Sequence, residues 1–307
     1  MDIVAFADEH VDGAAAVLAD RHAAHLAVEP LLPHVSDFRA QVESEREDAS
    51  GAVAIDGGEV VGYLLGGRRE DSIGPHIWAR SASHAVREAE LIRDLYAVAA
   101  ERWVADGLTR QHVYVPAIRD LVEPWLRLSF GISAAQAAME TRPARPVATG
   151  GGTTVRPSTP EDTPVAAAYD RQLQLHVQAA PSFSGMTAQD DQEVLDEWRN
   201  LHEEPEFTHF VAEQEGRIVG HLLLYRRPEG DLRVPAQNID IANALTEAGV
   251  RGTGAGIALT EHAIGWAYDH GYRSLTTDWR MTNLLASRFW PRRGFRETFL
   301  RLYRSIP

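Results

Sequence analysis

The chain has 307 residues, 44% of them hydrophobic and 24% charged, with a formal charge of −14. At roughly 100–200 residues per domain this length predicts two domains, and the acidic balance argues against binding a phosphate backbone, which needs clustered cations. All basic residues are arginine: with neither Lys nor Cys in the chain, a Walker-type lysine loop, a Schiff base, a disulfide and a cysteine zinc site are excluded.

The opening MDIVAFADEH is acidic and lacks the basic-then-apolar pattern of a signal peptide. No apolar run approaches the ~20 residues that span a bilayer. These features predict a cytoplasmic protein that associates with neither membrane nor nucleic acid. His22 and His25 are three apart on a predicted helix but have no third ligand, so no metal is expected.

Ala54–Leu65 (AIDGGEVVGYLL) and Ala212–Leu223 (AEQEGRIVGHLL) are each an apolar run, a polar turn and a second apolar run, the pattern of a β-hairpin. Behind each comes an amphipathic helix closed by a glycine, Glu88–Asp106 before Gly107 and Gly254–His270 before Gly271; Gly supplies the left-handed conformation of a C-cap. A short strand follows each helix (Gln111–Val115, Ser274–Asp278). Then come a second helix ending at Gly131 or Gly294 and a last strand (Ala135–Glu140, Glu297–Tyr303). The order hairpin, strand, helix, strand, helix, strand therefore occurs twice. The offset between copies grows from 158 (Gly62 to Gly220) to 164 (Gly107 to Gly271), an insertion that falls at a glycine-rich loop. Between the copies, Pro143–Gly152 is rich in Pro and Gly and reads as a linker. The predicted organisation is an α/β domain over 1–145, a linker at 146–152 and a second α/β domain over 153–307.

In the second copy a strand runs into Arg251-Gly252-Thr253-Gly254-Ala255-Gly256, where a helix starts. Unpaired amides and partial positive charge at a helix N-terminus, closely approachable because glycines lack side chains, make a pyrophosphate cradle. A dinucleotide fingerprint is the rival, but Ile257 stands where its third glycine belongs and the loop falls late in the domain. In the first copy Glu90 aligns with Gly254 and Ile92 with Gly256, with Glu88 nearby. Carboxylates there occupy and neutralise the place a phosphate would use.

Arg251–Gly256 resembles the R/Q-x-x-G-x-G/A motif of the GNAT N-acetyltransferase superfamily, and the element order over 153–307 is similar to that fold. The resemblance implies an α/β class with a mixed sheet and two tandem GNAT-like acyl-CoA N-acyltransferase folds, the first degenerate. It implies acetyl-CoA as co-substrate and no metal. The pyrophosphate would lie on the amides of Arg251, Gly252, Thr253, Gly254, Ala255 and Gly256, and the pantetheine along Ala244, Leu245 and Thr246. Asn283 matches a position that often contacts the cofactor.

Acetyl transfer to an amine needs a base, since a free Lys-type amine has a pKa of ~10.4. It also needs an amide to polarise the thioester carbonyl and a proton for the leaving thiolate. Asp240 and Asp278 are the candidate bases, and a strand amide within Leu245–Glu247 the carbonyl donor. The family often places a Tyr acid four residues before a Gly-Phe pair; counting back from Gly294-Phe295 this chain has Trp290. An indole N–H cannot serve as that acid, so Trp290 reads as a packing residue beside the pantetheine, with Tyr303, Tyr225 or water as substitute donors. Ala179–Gln192 reads as a mobile loop over the acceptor side. The resemblance thus implies N-acetyl transfer to a primary amine of a small molecule or protein, by a monomer or homodimer. The alternative, motivated by Trp290, is a non-catalytic acyl-CoA-binding or sensory module.

Overall fold

Two tight turns close the predicted hairpins. Gly57 and Gly58 have φ of 58° and 86°, and Glu215 and Gly216 have 50° and 75°. Positive φ at both central residues is the type I′ geometry, whose twist matches that of the flanking strands. The computed structural model describes residues 1–71, 74–150, 152–185, 187–201 and 204–307. The chain divides into two compact units, the first comprising Met1–Gln136, Gly230–Arg233 and Glu297–Pro307, the second Ala137–Glu229 and Val234–Arg296.

The first unit begins with β1 (Asp2–Ala5), α1 (Val11–Val28) and α2 (Phe38–Ser44) and continues through β2 (Ala49–Asp56), β3 (Glu59–Asp71), β4 (Gly74–Ala79) and β5 (His84–Val86). Next come α3 (Leu91–Ala105), β6 (Arg110–Pro116), α4 (Arg119–Arg127) and the first part of β7 (Gly131–Glu140). The second unit takes the end of β7, then β8 (Thr154–Pro157), α5 (Thr163–Gln178), α6 (Asp191–Leu201), β9 (Phe207–Gln214), β10 (Arg217–Tyr225) and β11 (Asn238–Thr246). It closes with α7 (Ala255–Asp269), β12 (Ser274–Arg280) and α8 (Ala286–Arg292), and the chain itself ends on β13 (Arg296–Ser305).

The last strands are distributed differently from the two-copy reading. β13 ends the second copy in sequence, yet it pairs antiparallel with β6 from Phe299↔Pro116 to Ser305↔Arg110 and so completes the first unit. Conversely, Ala137–Glu140 of β7 belong to the second unit, where they flank β12. Burial explains the choice for β13: Phe299 is fully buried in the first unit's core, with Leu18, Val53 and Tyr63. A strand pairs wherever its apolar face is covered, and nothing local to its sequence says where that is.

The expected linker is bound to the second unit up to Gly150; Gly151 lies outside the described residues, as does Met186 in the expected acceptor-side loop. Thr141 N donates to Arg273 O (3.1 Å). Arg142 grips Glu261 on α7 with two bonds of 2.7 Å, and Arg145 N donates to the same carboxylate at 2.9 Å. Gly265 on α7 makes room for Ala144, whose Cβ would be 2.7 Å from a Cβ added there. Gly150 N finally donates to Thr253 O at 2.7 Å. The segment therefore runs along α7 from its C-terminal end to its N-terminal end.

Strand alternation sorts the layers of the second unit. His209, His221 and Leu223 point one way, under Tyr169 of α5 and Val194 and Trp198 of α6. Phe210 points the other way, in ring contact with His262 and Trp266 of α7. The sheet is thus covered by α5 and α6 on one face and α7 on the other. Among the described residues no helix is long and apolar enough to cross a membrane, and no group of three or more His, Cys, Asp or Glu could hold a metal ion.

Candidate functional site

β11 and β12 are parallel and paired from Asn238↔Ser274 to Ile241↔Thr277. Among the described residues the ladder stops there, although β11 continues to Thr246 and β12 to Arg280. A bulge accompanies the separation. Leu224 of β10 faces Ile241 while Leu223 faces Asn243, so Ala242 is the extra residue, and an extra residue bends its strand and raises the local twist. Beyond the bulge β11 stays paired with β10 through Gly220↔Thr246, and its other edge lines a wedge. Glu247 N donates to Val219 O (2.9 Å); alternation then directs the amide of Leu245 at β10 and those of Ala244 and Thr246 into the wedge.

The glycine-rich loop leads from this arm into α7. Gly252 and Gly254 have φ of 84° and 95°, which only glycine adopts without strain. Gly254 is the N-cap of α7 and has no side chain to cap it. Among the described residues no backbone carbonyl accepts from the amides of Ala255, Gly256 or Ile257, the first-turn donors that a helix leaves unpaired. A Cβ on Gly256 would lie 3.4 Å from Thr246 Cγ2 and 3.8 Å from Phe289 Cε2. The bare glycine therefore faces Thr246 at the end of β11 and Phe289 of α8 at contact distance.

Residues 173–295 match the model of the acetyltransferase (GNAT) family. A GCN5-related N-acetyltransferase from Sphaerobacter thermophilus superposes with a TM-score of 0.62 at 17% identity, over 99% of this chain and 95% of that one. The glucosamine N-acetyltransferase region of a fungal multi-domain β-N-acetylglucosaminidase gives 0.57 at 14% identity, over 98% of this chain and 38% of that one. Comparison with curated protein sequences finds no match. The stretch 173–295 that matches the GNAT family lies in the second unit except for Gly230–Arg233. At these identities the superpositions establish the fold alone, so acceptor and chemistry have to be argued from the residues of this GNAT unit.

The sequence candidates fall in different places. Ala244, Leu245, Thr246 and Arg251–Gly256 come together around the wedge. Asp240 does not reach it as a free carboxylate: it is 1% exposed, accepts from Thr276 Oγ1 at 2.6 Å and pairs with Arg227 at 2.9 Å. Burial pushes its pKa above the usual carboxylate range, with Arg227 opposing. Asp278 is exposed near the end of β12. Tyr303 belongs to the first unit, because β13 does, and its ring lies 4.8 Å from that of His112. Trp290 is 7% exposed, held edge-on by Phe289 and Phe295 with centroids 5.0 and 5.4 Å away. Asn283 accepts from the amides of Leu285 and Ala286 at 3.2 and 3.3 Å, fixing the turn into α8.

Sequence reading missed α5. Tyr169 donates to Glu247 Oε1 (2.8 Å), just past the end of β11. Asp170 accepts from Asn243 Nδ2 (2.8 Å), beside the bulge, and from Trp198 Nε1 (3.0 Å). His176 Nε2 is 3.3 Å from Asn283 Oδ1, at the entry to α8. One helix thus reaches from the outer end of β11 across to the element that follows β12. Burial tends to raise the Glu247 pKa, but hydrogen bonds from Arg217 and Tyr169 prevail and hold it below the usual range. His221, fully buried beneath this helix, is held well below the ordinary imidazole range by burial. The only signal in the sequence was the spacing of Tyr169, Leu173 and His176 on one helical face, which does not differ from ordinary amphipathicity.

The equivalent place in the first unit is closed. Four residues, Arg87–Glu90, separate β5 from α3, where eight, Glu247–Gly254, separate β11 from α7. The amides of Leu91, Ile92 and Arg93 donate to the carbonyls of Glu88, Ala89 and Glu90. Glu90, the N-cap, is bonded to Arg93 and Arg127, each at 2.9 Å. β4 leaves β6 after Ala79↔Val113, but His84 Nε2 meets Tyr114 O at 2.8 Å and buried Arg21 reaches Ser81 O at 2.6 Å. Leu232, fully buried, packs in the same unit's core, while Arg233 lies 4.2 Å over the Tyr114 ring.

Proposed function

We propose that the GNAT unit transfers an acetyl group from acetyl-CoA to a primary amine of a small molecule or protein. The observation that carries this reading is the wedge between β11 and β12 opening beside the uncapped, glycine-lined N-terminus of α7. Anion binding at such a terminus uses the unpaired amides and the helix dipole. The residues fit an extended thioester: Gly256 places no side chain beside Thr246, and the edge of β11 that faces the wedge offers main-chain partners for the pantetheine amides. Of the amides expected to polarise the carbonyl, that of Glu247 is already bonded to Val219 O, so the role falls to Thr246. The amine nitrogen then bonds the acetyl carbon, the carbon–sulfur bond breaks, and the amine's proton must reach the thiolate or solvent.

Acyl-CoA binding without turnover is the second reading. It is favoured by Trp290, packed between Phe289 and Phe295 where the family often has a tyrosine. Calorimetric titration with acetyl-CoA followed by assay of free CoA over an amine panel separates the two. Binding with CoA release supports transfer; tight binding with no release on any amine supports the binding module; absence of binding overturns both.

A further inference from the structure

We infer that His176 is the catalytic base of the GNAT unit, an inference that rests on the acetyl-transfer reading above. Asn283 Oδ1 accepts two backbone amides, those of Leu285 and Ala286, which identifies that atom as the carbonyl oxygen rather than the amide nitrogen. His176 Nε2, 3.3 Å from it, must therefore be the donor. In a neutral imidazole this puts the lone pair on Nδ1. The ring is half-buried and carried by α5, which is anchored to the β11 arm of the wedge through Tyr169 to Glu247 and through Asp170 to Asn243.

Asp278, exposed near the end of β12, is the rival base; other titratable groups near the wedge have commitments elsewhere. Both oxygens of Asp240 are engaged, by Thr276 and Arg227. Both oxygens of Asp170 are engaged, by Asn243 and Trp198. His209 and His221 contact each other at 3.2 Å, buried under α6, and Trp290 can only donate. An imidazole can hold one nitrogen as a donor while the other accepts a proton. In the step proposed, the amine, having released one proton to solvent, attacks in its neutral form, and its nitrogen gives a second proton to His176 Nδ1 as the carbon–nitrogen bond forms. The carbon–sulfur bond breaks, and the same proton passes to the CoA thiolate. This supplies the proton that Trp290 cannot.

The test needs no knowledge of the acceptor. Chloroacetyl-CoA carries an alkylating carbon at the acyl position, and mass spectrometry of the full-length chain after incubation locates the adduct. Modification of His176, protected by excess CoA and lost in His176→Gln with CoA affinity unchanged within about twofold, is the expected result. The Gln side chain retains an N–H donor for Asn283, so the fold is kept. On any amine the wild type acetylates, His176→Gln should lower kcat by about 100-fold or more with little change in the KM for acetyl-CoA. CoA binding by the wild type with the adduct elsewhere or absent would overturn the role of His176 and leave the acetyl-transfer reading standing. No CoA binding would overturn that reading and this inference with it.

Discussion

Glu90 and Gly254 hold the same place, the N-cap of the central helix, in the two units. Glu90 is a carboxylate tied to Arg93 and Arg127. Gly254 is a left-handed glycine with Ala148 O at 2.9 Å from where its Cβ would be. The two helix N-termini thus differ in charge, in the availability of their amides and in steric clearance.

Replacing Gly254 by Glu, to copy the first unit, does more than change charge. The left-handed backbone, φ 95°, costs a non-glycine residue about 1–2 kcal/mol, and the new Cβ collides with Ala148 O. Gly254→Glu should therefore lose CoA affinity and lower Tm together. Gly256→Val is the cleaner probe, because its backbone is not left-handed and its side chain would extend toward Thr246 and Phe289. We expect at least about tenfold weaker acetyl-CoA binding by calorimetry, about 1.4 kcal/mol, with little change in Tm. Unchanged affinity would remove the loop from the site.

Asp240→Ala should act on stability first. The carboxylate is buried against Arg227 and Thr276, and removing one member of such a pair strands its partner. A loss of about 3 kcal/mol is expected in urea unfolding, at the low end for buried pairs because Arg227 is partly exposed. A variant with wild-type stability and abolished turnover would instead point to a chemical role.

Glu261 ties the segment before Gly150 to α7 through Arg142 and Arg145. Hydrogen exchange should find the amides of Thr141, Arg145 and Gly150 protected in the wild type. In Glu261→Ala the protection of Arg145 should disappear and that of Gly150 fall. Equal exchange in both proteins would show that the segment is not held by this carboxylate.

His25 and His84 make the first unit acid-sensitive. Burial is the main cause that pushes each down to about 3, with Arg21 adding repulsion. Both are neutral when folded, and the unfolded chain gains protons once the pH drops below the ordinary value near 6.5. Stability is therefore full above pH 6.5 and falls as the pH is lowered toward 3. The slope is up to about 1.4 kcal/mol per pH unit for each histidine. Thermal melts between pH 7.5 and 4.5 should show Tm falling, and His84→Gln should flatten the dependence; a Tm independent of pH over this range would contradict it.

The hairpins, the central helices with their glycine exits and the glycine-rich turn at Arg251–Gly256 that opens α7 were legible in the residues. Period, turn chemistry and glycine placement are local properties, and each copy repeats them. The loss of the loop in the first unit was legible too, because Glu90 stands in line with Gly254. Strand exchange was not: β13 carries the same alternating pattern whichever sheet it joins, and the apolar space that receives Phe299 is built by residues far away in the chain. For the same reason Tyr303 reads with the second copy although it lies in the first unit, and within the linker-like stretch Pro143–Gly152, Ala144 packs on Gly265 of α7. The wedge depends on a bulge at Ala242 that pairing with β10 creates. His176 became visible only once α5 was seen to reach Asn283, since a histidine on an amphipathic helix has no meaning until its neighbours are assembled around it.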